Sequence, residues 1–199
     1  SLSLFFYLAG QLVSGIVMFE VMLGLAPGPA LAITSLVLIV YVVMGGAHAD
    51  ILTDGVQGFI MVAVGLLVTG LFLTGYGVEG GFAGMIDSLR AQDENLVGWL
   101  NKTDVLYHSW WSVLAIFMAH VPLGLLPHIG NKLWALKEPS QRMSFIRLAF
   151  AFGLVLGMLG LGGIMGRVIL GEGIGSNQAL VLLFIELFPS WFAALLGVG

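Results

Sequence analysis

The sequence predicts an all-α fold, a polytopic bundle of transmembrane helices, and three observations carry that expectation. Hydrophobic residues make up 59% of the 199-residue chain and charged residues only 9%, with a mean hydropathy of +1.04, whereas an ordinary soluble domain carries about 25% charged residues. Leu, Ile, Val, Phe and Gly recur in runs of about 20 residues, the length at which a helix crosses a hydrocarbon core of about 30 Å. The charged residues that remain are sorted by sign between different connections, as in a chain that threads a bilayer.

The same composition excludes several classes of function. There is no cysteine, hence no disulfide framework, thiolate metal site, iron–sulfur cluster or cysteine nucleophile. A net charge of −4 without a basic arm offers no Lys/Arg footprint for phosphate backbones, so nucleic acid is not an expected partner. Ser1 lies within an apolar segment and Gly199 follows half of one, which reads as an internal fragment of a longer chain.

Five apolar spans are expected at residues 2–25, 29–45, 54–76, 110–127 and 145–170, and a truncated sixth opens at 191, all in one membrane domain. The segment from Ile129 to Arg147 holds Lys132, Lys137, Arg142 and Arg147 against Glu138, so the positive-inside rule makes it cytoplasmic. The segment from Gly77 to His108 carries Glu79, Asp87, Asp93, Glu94 and Asp104 against Arg90 and Lys102, which suits the outer face. Counting back places Ala26 to Gly28 outside, and Gly46 to Thr53, with His48, inside.

In the first span Tyr7, Gln11 and Ser14 share one helical face, which is expected to point into the bundle. They serve there either as interhelical hydrogen-bonding groups or as a lining for a solute. Glu20, near the outer end, is expected at the interface.

The third span opens on Asp54 and Gln57, one turn apart. Two readings stand: Asp54 is an N-cap with Gln57 closing a capping box, or its carboxylate is an oxygen ligand for a cation near the inner mouth.

The outer segment repeats Phe82, Met85, Ile86 and Leu89 at helical spacing, an amphipathic cap on the bundle or bilayer surface. Trp110, Trp111 and Tyr107 mark the outer end of the fourth span and Trp134 lies past its inner end, as an aromatic belt would.

That fourth span holds Pro122, Gly124 and Pro127 within a few residues of His120. Proline removes a backbone donor, so the helix is expected to break between His120 and Pro127, either as a kink or as unwound backbone lining a solute path. His120, Pro122, Leu123 and Gly124, with Gln11 and Ser14, are the candidate solute-binding residues.

In the fifth span Gly153 and Gly157 form a GxxxG pair expected to allow close helix approach. Arg167, near its outer end, either snorkels to the headgroups or attracts an anionic solute. Leu180, Leu183, Phe184 and Leu187 then repeat a helical stripe that Pro189 ends.

Tyr41, Gly45 and Gly46, followed by Leu52, Thr53, Asp54, Gly55, Val56 and Gln57, resemble the Gly-Gly, Thr-Asp and Gln signature of the sodium:solute symporter family. Pro127, His128 and the basic Lys132 resemble that family's Pro-His followed by a basic residue, although many relatives carry Arg there. Gly15 to Glu20 also fits, and the resemblance covers essentially the whole sequence.

The resemblance implies a leucine-transporter-type fold of two inverted five-helix repeats, with this piece running from the third core helix into the start of the eighth. Asp54 then matches the family's aspartate associated with sodium coupling, and the region from His120 to Pro127 its broken sixth core helix. The family's main sodium site falls on helices outside the sequence.

Leu126 to His128 and Gly163 to Leu170 look most like pantothenate and monocarboxylate permeases. The resemblance therefore implies sodium-coupled symport of a small organic anion across the inner (plasma) membrane, with sodium as coupling ion, no other cofactor and no enzymatic activity. The competing expectation is a structural or haem-carrying membrane subunit, for which His120 is the single histidine well inside a span while bis-histidine ligation needs two.

Overall fold

The computed structural model describes residues 2–103, 106–121, 130, 134, 136 and 138–197, without the side chains of residues 2–4, 7, 41–42, 45–51, 54 and 197. Among the described residues there are eight α-helices and no strand: α1 (Leu2–Leu23), α2 (Pro27–Thr74), α3 (Gly81–Gln92), α4 (Trp110–His120), α5 (Pro139–Gly157), α6 (Gly160–Ile169), α7 (Ala179–Leu187) and α8 (Ser190–Gly197). A 3-10 turn, Glu94–Val97, follows α3.

The clearest departure from expectation is α2, whose backbone is helical from Pro27 to Thr74 with no loop at Gly46 to Thr53. Gly46 to Thr53 contains no proline, so each of its residues can donate a backbone N–H and the helix has no covalent reason to stop there.

The helix is nevertheless not straight. Gly15 of α1 abuts Thr34 of α2, and Met18, Met22 and Leu23 of α1 line one cavity together with Ile185 of α7 and Ser190 of α8. The neighbouring Phe184 of α7 packs on Val64 and Val68 of α2. A straight helix would hold Ala30 and Val64 about 51 Å apart, too far for the short α7 to reach both neighbourhoods. The two halves of α2 therefore fold back toward each other between Thr34 and Val64. Gly45 and Gly46 lie in that interval, the kind of small-residue pair at which helices bend sharply.

Helix ends follow from local chemistry. α2 stops at Gly75, whose φ of 61° is left-handed and whose N–H reaches the carbonyls of Leu71 and Phe72. A side chain there would also collide with the Gly81 backbone, so both dihedral and space require glycine. Ser109 caps α4, its Oγ accepting from Ser112 N–H at 3.2 Å while Ser112 Oγ accepts from Ser109 N–H at 3.2 Å. α5 begins with Pro139 in its first turn, and Gln141 Oε1 accepts from Glu138 N–H at 3.4 Å.

The span expected at residues 145–170 is interrupted. Backbone bonds from Met158 N–H to Val155 and from Leu159 N–H to Leu156 tighten the chain between α5 and α6. Gly157 and Gly160 flank that turn and weaken helix propagation across it.

Two apolar clusters hold the bundle. Val64 and Val68 of α2 pack with Phe184 of α7 and with Ala193 and Leu196 of α8. Leu71 of α2 packs with Met85 and Leu89 of α3, Met165 of α6 and Leu183 of α7. α3 is thus the amphipathic helix its spacing predicts, and it closes one end of the bundle with Met85 fully buried.

The close helix approaches use other glycines than the GxxxG pair. A Cβ at Gly65 would lie 2.8 Å from the Val155 carbonyl oxygen of α5, and one at Gly162 would strike Leu180. Gly153 and Gly157 have nothing within 4 Å of an added Cβ, so they are not the packing surface expected of them. The α5 face carrying them is exposed, while Gly65 sits where α2 and α5 cross.

Among the described residues two segments are long and apolar enough to cross a membrane, Gly55–Thr74 and Pro139–Ile169. Leu8–Leu23 within α1, Pro27–Val40 within α2 and Trp110–His120 are shorter apolar helical stretches. The Thr34 and Thr69 hydroxyls are satisfied within their own helix, Thr34 donating to Ala30 O at 2.8 Å and Thr69 to Gly65 O at 2.7 Å, as an apolar setting favours.

Candidate functional site

The residues singled out from the sequence are distributed over separate elements. Ser14 is exposed on α1 and its Oγ donates to Gly10 O at 3.2 Å; Gln11 is exposed beside it. The side chain of Tyr7 lies outside the described residues, and Gln11 and Ser14 do not point into the described bundle, because α1 packs on α2 through Gly15. Only a small residue at that position lets the two helices meet.

His120 ends α4, exposed, with Nδ1 2.7 Å from Ile116 O of its own helix. That contact satisfies a ring nitrogen locally and links His120 to no other element. Val121 continues in a 3-10 turn, and Pro122, Leu123 and Gly124 lie outside the described residues, as does the break expected between His120 and Pro127.

The backbone of Asp54 lies inside α2 and not at a helix N-terminus, which removes the N-cap and capping-box reading. Its side chain is outside the described residues, so the cation-ligand reading is carried by its position alone.

Two cavities are built from residues the sequence did not bring together. One, of about 460 Å³, lies between the C-terminal end of α1 and the α7–α8 corner, with Met18, Phe19, Met22 and Ile185 around Ser190.

The other, of about 670 Å³, lies beneath the end of α3 and along α6. Gly160, Gly163 and Gly166 of α6 form part of its wall, and Leu89, Asn101 and Ser176 close other sides. Arg167 stands in this wall, and two contacts fix it. Its Nε–H donates to Gln92 Oε1 at 2.9 Å and its Nη2 to Glu172 Oε1 at 2.6 Å, so it joins α3 to the segment after α6. The guanidinium is thus oriented by protein groups.

Asp93 shares this cavity wall and caps the 3-10 turn, its Oδ1 accepting from Asn95 N–H and Nδ2, both at 2.9 Å. The sequence signal for this cavity was present in α6, where Gly160, Gly163 and Arg167 recur at helical spacing. Gln92 is 75 residues from Arg167, and no periodicity joins them. Among the described residues no group of three or more His, Cys, Asp or Glu side chains is placed to hold a metal ion.

Comparison with known proteins adds what the geometry lacks. The chain is similar to the sodium/pantothenate symporter of Haemophilus influenzae, 27% identical over 192 residues that cover 94% of this chain and 38% of that relative. The chain thus spans less than half the length of that relative. No solved structure matches it at a significant level. The profile of the sodium:solute symporter family matches residues 2–198, nearly the whole sequence, and the chain belongs to the sodium:solute symporter family.

Proposed function

We propose that this chain is part of a membrane carrier that couples the entry of a small organic solute to sodium, the solute being an organic anion such as a monocarboxylate or pantothenate. The observation that carries the reading is the family match over residues 2–198. The similarity to a sodium/pantothenate symporter supports the solute class. The all-helical bundle, with two segments apolar and long enough to span a bilayer, is consistent with a multi-pass protein of the inner (plasma) membrane. A leucine-transporter-type fold of inverted repeats is the architecture proposed for the complete protein.

In this reading Asp54 supplies an oxygen ligand or field for sodium, since hard cations take oxygen donors and acids at membrane depth mark ion paths. Its place within an apolar helix favours this role over capping. Gln11 and Ser14 on one helix, and His120, Pro122, Leu123 and Gly124 at the expected break of another, are proposed to line the solute path. Uptake of labelled pantothenate or lactate into vesicles carrying the full-length protein tests the proposal: sodium should activate it, and equal uptake with choline in place of sodium would overturn it.

A further inference from the structure

We infer that the cavity beneath α3 is a docking subsite for the carboxylate of a small organic monoanion, at which Arg167 exchanges Glu172 for the incoming solute. This rests on the transport reading above and adds to it where the solute's charge is first recognised.

Arg167 is the one cationic side chain in the cavity wall among the described residues. The bond from its Nε–H to Gln92 Oε1 sets the plane of the guanidinium. Nη2 meets Glu172, and Nη1 has no partner among the described residues. A guanidinium offers five N–H donors in a rigid fork that matches a carboxylate with two parallel bonds. With the Nε side held by a neutral amide, the Nη1–Nη2 edge is available for that match once Glu172 lets go.

Glu172 is itself a carboxylate, and its single bond to Nη2 places that group on this side of the guanidinium. It is also easy to displace. Its side chain is 71% exposed against 37% for Arg167, and exposed ion pairs contribute little net stability. It sits between Gly171 and Gly173, whose φ values of 83° and 96° mark a tight glycine-built turn from which the side chain can swing into water.

The rest of the wall suits an organic body. A Cβ added at Gly160 or Gly163 meets nothing within 4 Å, so α6 presents an open trough beside the guanidinium. Leu89, Ile164 and Ile174 give it apolar sides, with Asn101 and Ser176 as polar points. A volume of about 670 Å³ falls within the range of about 300–1,000 Å³ usual for small-molecule sites. Asp93 adds a carboxylate to the same wall. One carboxylate on Arg167 is matched, whereas a second would face Asp93 unpaired, which selects a monoanion over a dianion.

The test is the kinetics of sodium-driven uptake by the full-length carrier in proteoliposomes, with labelled pantothenate and lactate as probes, each bearing a single carboxylate. Arg167→Gln should raise KM about tenfold while leaving the maximal rate nearly unchanged, the pattern of a lost docking contact. Glu172→Gln should lower KM, because the competing carboxylate is gone. Arg167→Lys should fall between wild type and Arg167→Gln, keeping the charge and losing the fork.

A KM unmoved in both Arg167→Gln and Glu172→Gln overturns the inference. If Arg167→Gln fails to reach the membrane, Glu172→Gln decides alone: a lower KM supports the exchange, and an unchanged or higher one overturns it. Wild-type uptake with unmoved variants fails this inference only, whereas a wild-type carrier that takes up neither probe fails the transport reading and the carboxylate assignment with it.

Discussion

Replacing Gly65 by alanine tests how the helices pack, because its consequence is set by one backbone atom. A Cβ at Gly65 would stand 2.8 Å from the carbonyl oxygen of Val155, nearer than such atoms approach in folded proteins, and a tight 3.0 Å from its Cγ1. Val155 O is also the acceptor for Met158 N–H at 3.0 Å in the turn that ends α5, so it cannot retreat without disturbing that turn. Relief then requires α2 and α5 to separate, and overpacking of this kind costs about 1–3 kcal/mol.

Alanine gains about 1 kcal/mol over glycine in helix propensity, so the net change for Gly65→Ala alone is about 0–2 kcal/mol of lost stability. Gly153→Ala supplies the control. It gains the same propensity, but its Cβ meets nothing within 4 Å. The difference between the two variants therefore isolates the packing term, with Gly65→Ala less stable by about 1–3 kcal/mol. Unfolding of the full-length carrier in mixed micelles by sodium dodecyl sulfate, followed by circular dichroism, measures it. Equal stability of the two variants, or a larger loss for Gly153→Ala, would refute the reasoning and restore the GxxxG pair as the packing surface.

Three further outcomes are expected. Met85→Ala, at a fully buried position between α3 and α6, should cost about 2–5 kcal/mol locally and speed tryptic cleavage after the exposed Arg90; an unchanged cleavage rate would show that α3 is held by other contacts. Asp54→Asn should weaken sodium activation of uptake more than it lowers expression, since an amide supplies hydrogen bonds but not the cation's field; normal sodium dependence would remove the ion role. Ser140→Cys, in the basic segment, should resist an impermeant thiol reagent applied to intact cells, and rapid labelling from outside would reverse the topology.

Local patterns were legible in the sequence where a helix has one wet face and one dry face. Met85 and Leu89 announced α3, and Leu183 and Phe184 announced α7, because amphipathic spacing and burial report the same face. Pro189 likewise ended α7 as expected, with α8 starting directly after it.

The uniformly apolar helices were harder to read. In α2 no polar face marks where the chain turns, and a helical backbone continues through Gly46 to Thr53 where a loop was expected. Glycine was ambiguous for a related reason. Gly65, Gly153 and Gly162 look alike in a string of apolar residues, and only the position of Val155 and Leu180 decides which of them meets a neighbour.

The candidate site divides in the same way. Asp54 and Gln57 stood out as polar groups in an apolar run, but the helix start that one of their two readings required is the interior of a helix. Arg167 stood out as a charge, while its partner Gln92 belongs to a different helix far along the chain and became visible only when α3 folded over α6.

Solute-stimulated entry of radioactive sodium tests the central claim most directly, because symport requires the two fluxes to depend on each other. In proteoliposomes holding the full-length carrier, external pantothenate or lactate should accelerate sodium entry, and Asp54→Asn should blunt that acceleration. Sodium entry that is indifferent to either solute, in vesicles that still take the solute up, would contradict sodium-coupled symport.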